Sequence, residues 1–191
     1  MHAATHLLAG WMVANTKELE RRDRALVTLA GVAPDLDGFG YPVQALTQHG
    51  ERPLLWFRDY HHVLGHNLVF AVVVTGICGA FALRRPATAA LAFLSFHLHL
   101  LCDVLGSRGP DGDQWPIPYL WPFLRDLTWT WSGQWRLDAW PNFAVTIALI
   151  AATLWLAARR GYSPVGIFSE RADRAFVQAV RRRLPVRAAR S

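Results

Sequence analysis

The chain has 191 residues, enough for one domain, with 52% hydrophobic residues, 9 Trp, 11 Pro and a formal net charge of +6. Its mean hydropathy of +0.15 is high for a soluble protein with so basic a tail, and its two cysteines are too few for a zinc–sulfur module or a disulfide scaffold. Nine of the 20 basic residues fall in 159–191, directly after an apolar run, so anionic lipid headgroups are the expected partner of the tail; no nucleic acid is expected, because no reading motif accompanies the arginines.

In chain order, residues 2–14 and 24–33 read as two helices joined by the charged turn 16–23, with Pro34 stopping the second. The second is too short to span a bilayer, so the pair is expected to form a helical hairpin dipping into the membrane. Residues 35–60 form a long connection. Three apolar runs follow, at 66–83, 87–106 and 142–158. Eighteen helical residues reach ~27 Å, close to the hydrocarbon thickness. Arg84-Arg85-Pro86 makes the turn between the first two runs, and Arg159-Arg160-Gly161 closes the third. The connection 107–141 carries Trp115, Trp121, Trp129, Trp131, Trp135 and Trp140, which suits a rim at headgroup level. Within it, 128–131 alternates polar and aromatic residues, and Ser132-Gly133 would turn it into a short hairpin. Residues 171–184 read as a basic amphipathic helix.

The expected fold is an all-α integral membrane protein. It has about three full transmembrane helices, an N-terminal helical hairpin, a Trp-rich extracytoplasmic loop and a basic cytoplasmic C-terminal helix. Residues 1–160 form the membrane-embedded domain with the metal site, and 161–191 the cytoplasmic tail. If each helical segment reverses direction, one side of the membrane holds 15 of the 20 Lys and Arg residues, which makes that side cytoplasmic. His6, Asp35, Asp37, His61, His62, His66, His99 and Asp103 then gather at the opposite, extracytoplasmic end. Ionisable groups beside lipid are costly, so such a gathering points to function.

The spacing supports metal chemistry. His99 and Asp103 are four apart on one apolar helix and share a face; His62 and His66 repeat the interval. Imidazole nitrogen and carboxylate oxygen both suit Zn²⁺ or a similar divalent ion. Pro34-Asp35-Leu36-Asp37-Gly38 adds two carboxylates where a helix stops. His6 lies deeper in its helix than His2 and is the stronger candidate of those two. His97 is out of phase with His99 and is expected to contact another helix or to support a metal ligand from behind. His6, Asp35, His66, His99 and Asp103 exceed the three protein ligands of a typical catalytic zinc, so one or two ions are expected, with a bridging carboxylate if there are two. Asp37 is the expected general base, with His61 and His62 as further catalytic candidates; which of these two histidines belongs to the site is left open.

On these motifs the chain resembles the YdjM-like, membrane-bound metal-dependent hydrolases of the bacterial inner membrane. The resemblance rests on Thr5-His6 with Gly10, Pro34-Asp35-Leu36-Asp37, His61 with His66, His99-x-x-x-Asp103 and Trp121-Pro122-Phe123, in the family's order. It implies metal roles for His6, Asp35, His66, His99 and Asp103. The family's His-Arg before Thr-His-Ser is replaced by His61-His62, with Gly65 and Asn67 flanking His66, so a positive charge and two hydroxyls of that pattern are absent. The helical His-x-x-x-Asp pair is also distantly similar to zinc-dependent phospholipases C and P1-type nucleases, which favours a phosphoester substrate. The expected activity is hydrolysis of a lipid or lipid-linked phosphoester by metal-activated water. The competing expectation is a divalent-metal transporter or metal-sensing membrane protein.

Overall fold

The computed structural model describes residues 1–109 and 112–184, and among these it is all-helical, with no β-strand. The α-helices are α1 (Ala3–Ala14), α2 (Arg21–Ala30), α3 (Gly40–Thr47), α4 (Trp56–Tyr60), α5 (Leu68–Phe81), α6 (Arg85–Gly106), α7 (Trp140–Arg160) and α8 (Glu170–Arg183). Helices α1, α2, α5 and α6 pack on one another, α7 lies against α1, and α8 folds back on α7.

Close packing of α1, α2 and α6 depends on small residues. A Cβ on Gly10 would lie 2.8 Å from the Thr28 carbonyl of α2 and 2.9 Å from Ser95 Oγ of α6. With only hydrogen at that position the helix backbones can approach directly. Below this contact, Val13, Ala14, Leu19, Val27 and Leu91 form one apolar cluster; Ala71, Phe96, Leu100 and Ile117 form another between α5, α6 and the following loop.

Among the described residues, two helices, α6 and α7, are long and apolar enough to cross a membrane. The third expected span, at the first apolar run, forms a shorter apolar helix. Asn67 caps α5 by accepting the Phe70 N–H at 2.9 Å, so the helix begins after His66 rather than at it. At its other end Ala82 is extended, and the next two backbone N–H groups, of Leu83 and Arg84, both donate to Asp23 at 2.9 Å. Fourteen residues remain, about 21 Å of helix. Outward-facing Val72, Val73, Ile77 and Phe81 keep the exposed side of α5 apolar.

Other boundaries also move. Helix α2 starts at Arg21 and ends at Ala30, and the chain then makes a 3₁₀ helix over Ala33–Phe39 that contains Pro34 rather than stopping at it. The expected hairpin at 128–133 does not form. Trp129 pairs across to Ile117 in an isolated bridge, and a turn at 132–133 returns the Gln134 N–H to the Trp131 carbonyl. The basic amphipathic helix is present as α8; tail residues 185–191 lie outside the described residues.

Alternation of helix direction gathers the basic turns at one end. Arg160 donates to the Asn15 carbonyl at 2.9 Å, Arg21 Nε to the Gly166 carbonyl at 2.6 Å, and Arg181 Nε to the Ala158 carbonyl at 2.8 Å. At the other end, Asn142 ties α7 to α6 by donating to the Gly106 carbonyl at 2.8 Å while accepting the Trp135 indole N–H at 2.7 Å.

Candidate metal centre

Four chain segments deliver side chains to the end of the bundle away from the basic turns. His6 comes from the first turns of α1, Asp35 from the 3₁₀ helix, His62 and His66 from the link between α4 and α5, and His99 with Asp103 from the last turns of α6. His6, His62, His66, His99 and Asp103 are all buried.

Asp103 is the centre of the arrangement. Its Oδ2 lies 2.9 Å from His99 Nε2, 3.4 Å from His66 Nε2 and 4.0 Å from His62 Nε2; its Oδ1 lies 3.1 Å from His6 Nε2. His66 Nε2 and His99 Nε2 face each other at 3.2 Å, and Asp35 Oδ1 is 3.6 Å from His99 Nε2. The His6 and His99 rings stack with centroids 3.7 Å apart. These donors sort into two sets, His6, Asp35, His99 and Asp103 in one and His62, His66 and Asp103 in the other, with the ligand atoms of each set all within 4.8 Å of one another.

The cluster fits a divalent cation. Donors bound at about 2.0–2.2 Å to one ion stand roughly 2.9–3.6 Å from each other, the range in which His6, His66 and His99 stand from Asp103, with His62 farther out at 4.0 Å. Two imidazole nitrogens facing each other at 3.2 Å have at most one hydrogen to share. Among the described residues, every buried imidazole nitrogen and carboxylate oxygen without a hydrogen-bond partner belongs to this cluster: His6 Nδ1, Asp35 Oδ2, His62 Nδ1 and Asp103 Oδ2. The α-amino group of Met1, a cation, lies against Asp103 Oδ1.

The surrounding groups fix which ring nitrogen faces the centre. His99 Nδ1 is bonded to the Gly31 carbonyl at 2.8 Å and His66 Nδ1 to Asp37 Oδ2 at 3.0 Å, which leaves both Nε2 atoms on the inside. Asp37 stands behind the cluster. Its Oδ1 holds His61 Nδ1 at 2.7 Å, and its Oδ2 also accepts the Gly65 N–H at 2.9 Å. Burial alone would push the Asp37 carboxyl up, but the bonds from His61 and His66 outweigh it and hold the group well below the usual carboxylate range. Burial, reinforced by the neighbouring His66, keeps His62 well below its ordinary value and therefore neutral, the form that binds metal.

Local backbone features bring these groups in. Any side chain on Gly65 would run into the Pro34 carbonyl, so glycine allows the His66 segment to lie directly on the 3₁₀ helix. His62 has φ of 67°, the only positive value at a non-glycine among the described residues. That conformation is unfavourable for histidine, and it carries the ring inward while His61 in the same turn stays partly exposed.

Several contributors carry no plain sequence signal. The Gly31 carbonyl and the Met1 amine are backbone groups. Trp115 packs edge-on against both His61 and His62, at 5.5 and 5.2 Å between centroids, and only its place in a Trp-rich loop hinted at it. His97 stands apart, bonded to the Phe93 carbonyl at 2.8 Å and the Tyr119 hydroxyl at 2.7 Å. His2 is exposed beside Phe143.

A cleft of about 520 Å³ opens beside the cluster, lined by His61 and His62 at its inner wall and by Phe57, Arg58, Asp113 and Trp115 among its sides. No curated protein and no solved structure matches the chain. Its residues 1–173 match the model of the YdjM inner membrane protein family, with the long apolar helices α6 and α7 inside the matched region, and the chain belongs to that family.

Proposed function

We propose that this is a membrane-bound, metal-dependent hydrolase whose active site is the histidine–aspartate cluster at the end of the bundle opposite the basic turns. The observation that carries the reading is the pair of donor sets meeting at Asp103 with a cleft beside them. His6, Asp35, His99 and Asp103 would hold one divalent ion, and His62, His66 and Asp103 a second, with zinc the best match to imidazole and carboxylate donors. Such ions supply Lewis acidity and lower the pKa of a bound water.

The protein's own residues do the rest. Both Asp37 oxygens are engaged, so the proton acceptor is assigned to His61, which lines the cleft and is oriented by Asp37 through Nδ1. In hydrolysis the water oxygen bonds to the phosphorus, the ester bond breaks, and His61 takes the water proton and returns it to the leaving oxygen. Positive charge concentrated on the basic turns supports a cytoplasmic placement of that end and an extracytoplasmic active site, with α8 on anionic headgroups. A site at the membrane surface suits a lipid or lipid-linked phosphoester.

The test combines elemental analysis with turnover of a phosphodiester panel by detergent-purified protein. Expected are bound zinc, hydrolysis abolished by chelation, and a His61→Gln variant that keeps its metal but loses about 10²–10⁴-fold in rate. Zinc bound without hydrolysis of any ester, together with zinc flux into proteoliposomes, would replace this reading with transport.

A further inference from the structure

The cleft beside the cluster carries charges of both signs on aromatic walls. Its sides come from the two long connections. Phe57 and Arg58 belong to α4, and Asp113 and Trp115 to the segment after α6. Arg58 is anchored at its backbone, where its N–H donates to Gln44 Oε1 at 2.9 Å. Its Nε is held by Asp59 at 3.0 Å, and its terminal amino groups make no hydrogen bond among the described residues. A guanidinium presented this way suits a phosphate oxygen.

Asp113 does not fit a purely anionic ligand, because a carboxylate in the same cleft would repel it. It fits a ligand that carries a positive charge beside its phosphate. Trp115 strengthens this, since an indole face attracts a cation more strongly than other aromatic side chains do. The inner wall, His61 and His62, borders the cluster, so a phosphate held by Arg58 would lie next to the proposed reactive centre.

We propose that this cleft binds a phosphoester with a zwitterionic head: a phosphate contacted by Arg58 and an ammonium group contacted by Asp113 and Trp115. The proposal rests on the hydrolase reading and narrows its substrate class. The same chemistry is offered by a free phosphoamine and by an aminophospholipid headgroup, and the experiment separates the two.

Metal-loaded protein in detergent is titrated calorimetrically with phosphoethanolamine and with glycerol 3-phosphate. The expected result is at least about tenfold tighter binding of phosphoethanolamine. Asp113→Asn is expected to erase that preference while leaving glycerol 3-phosphate unchanged, and Arg58→Gln to weaken both ligands about tenfold. Both side chains are exposed, so neither substitution touches the core. The titration is repeated in phosphatidylglycerol vesicles with and without phosphatidylethanolamine. Weaker apparent binding in the second lipid assigns the site to the lipid headgroup, and unchanged binding assigns it to a free phosphoamine. Equal affinity for the two soluble ligands, or a preference that survives Asp113→Asn, overturns the proposal. Elemental analysis of the same samples separates the two failures: protein without metal sinks the hydrolase reading, and protein with metal but no headgroup preference sinks only the cleft.

Discussion

At the basic end of the bundle, the buried carboxylate and amide side chains find partners within the protein, and among the described residues the buried atoms left without one are the neutral hydroxyls of Thr88 and Thr153 and the Trp11 indole N–H. Asp23 accepts two backbone N–H groups, Asn15 joins the Trp11 carbonyl to Arg160 and Tyr162, and Asp173 accepts the Ser163 N–H and hydroxyl. At the opposite end, His6, Asp35, His62 and Asp103 each retain a buried atom with no partner, and ring nitrogens face one another. A buried polar atom without a partner costs about 1–3 kcal/mol. Four of them in one place make sense as a binding site and not as scaffold. The same residue types therefore serve different ends: aspartate at the basic end staples a turn, and aspartate at the site end waits for a cation.

This contrast is broken most severely at Asp103, which belongs to both donor sets. Asp103→Ala is expected to empty the centre, with metal content by elemental analysis falling from stoichiometric to background. If the variant keeps its metal, the centre does not depend on the shared carboxylate. Asp37→Asn is the sharper test, because Asp37 touches the donor sets through His66 and otherwise holds His61 and the Gly65 N–H. Losing the carboxylate that orients a ligating histidine is expected to weaken metal binding or activity by about 10–100-fold, read by competition with a chelator of known affinity. An effect as large as that of Asp103→Ala would mean that Asp37 binds metal directly.

The basic end supplies the matching control. Asp23→Ala strands the Leu83 and Arg84 N–H groups at the turn between α5 and α6. It is expected to cost about 2 kcal/mol in stability, seen as a lower unfolding temperature, while metal content stays unchanged.

How much of this the sequence carries depends on the kind of contact. The His99–Asp103 pair was legible because helical spacing alone puts both residues on one face. His6, Asp35 and His66 were legible because alternating helices bring their segments to one end, whatever the details of packing. That Asp35 belongs with the metal donors and Asp37 does not was expected from the family resemblance, but Asp37's place behind His61 and His66 was not legible. The two are only two residues apart, and their separation into a cluster residue and an outer support follows from the 3₁₀ turn that holds them. His62 was ambiguous for a similar reason. Its left-handed backbone, which no periodicity reveals, turns its ring toward Asp103 while His61 pairs with Asp37. The length of the first apolar run was misread because hydropathy counts residues on both sides of a cap, and the helix does not cross it.

That cap provides the smallest effect and a boundary between the two ends. Asn67 Oδ1 accepts the Phe70 N–H, and its Nδ2 donates to the Val63 and Leu64 carbonyls at 2.8 and 2.9 Å. It thus starts α5 and ties that start to the turn carrying His62. Asn67→Ala is expected to cost about 1 kcal/mol in stability through loss of the cap. Asn67→Ser keeps an oxygen for the Phe70 N–H but removes the Nδ2 donor to the His62 turn, so the two variants divide the residue's work. If Asn67 serves only the helix, Asn67→Ser restores stability and metal affinity together. If the turn matters as well, Asn67→Ser recovers the unfolding temperature while affinity stays reduced, because the donors around Asp103 need His62 held against its own backbone preference.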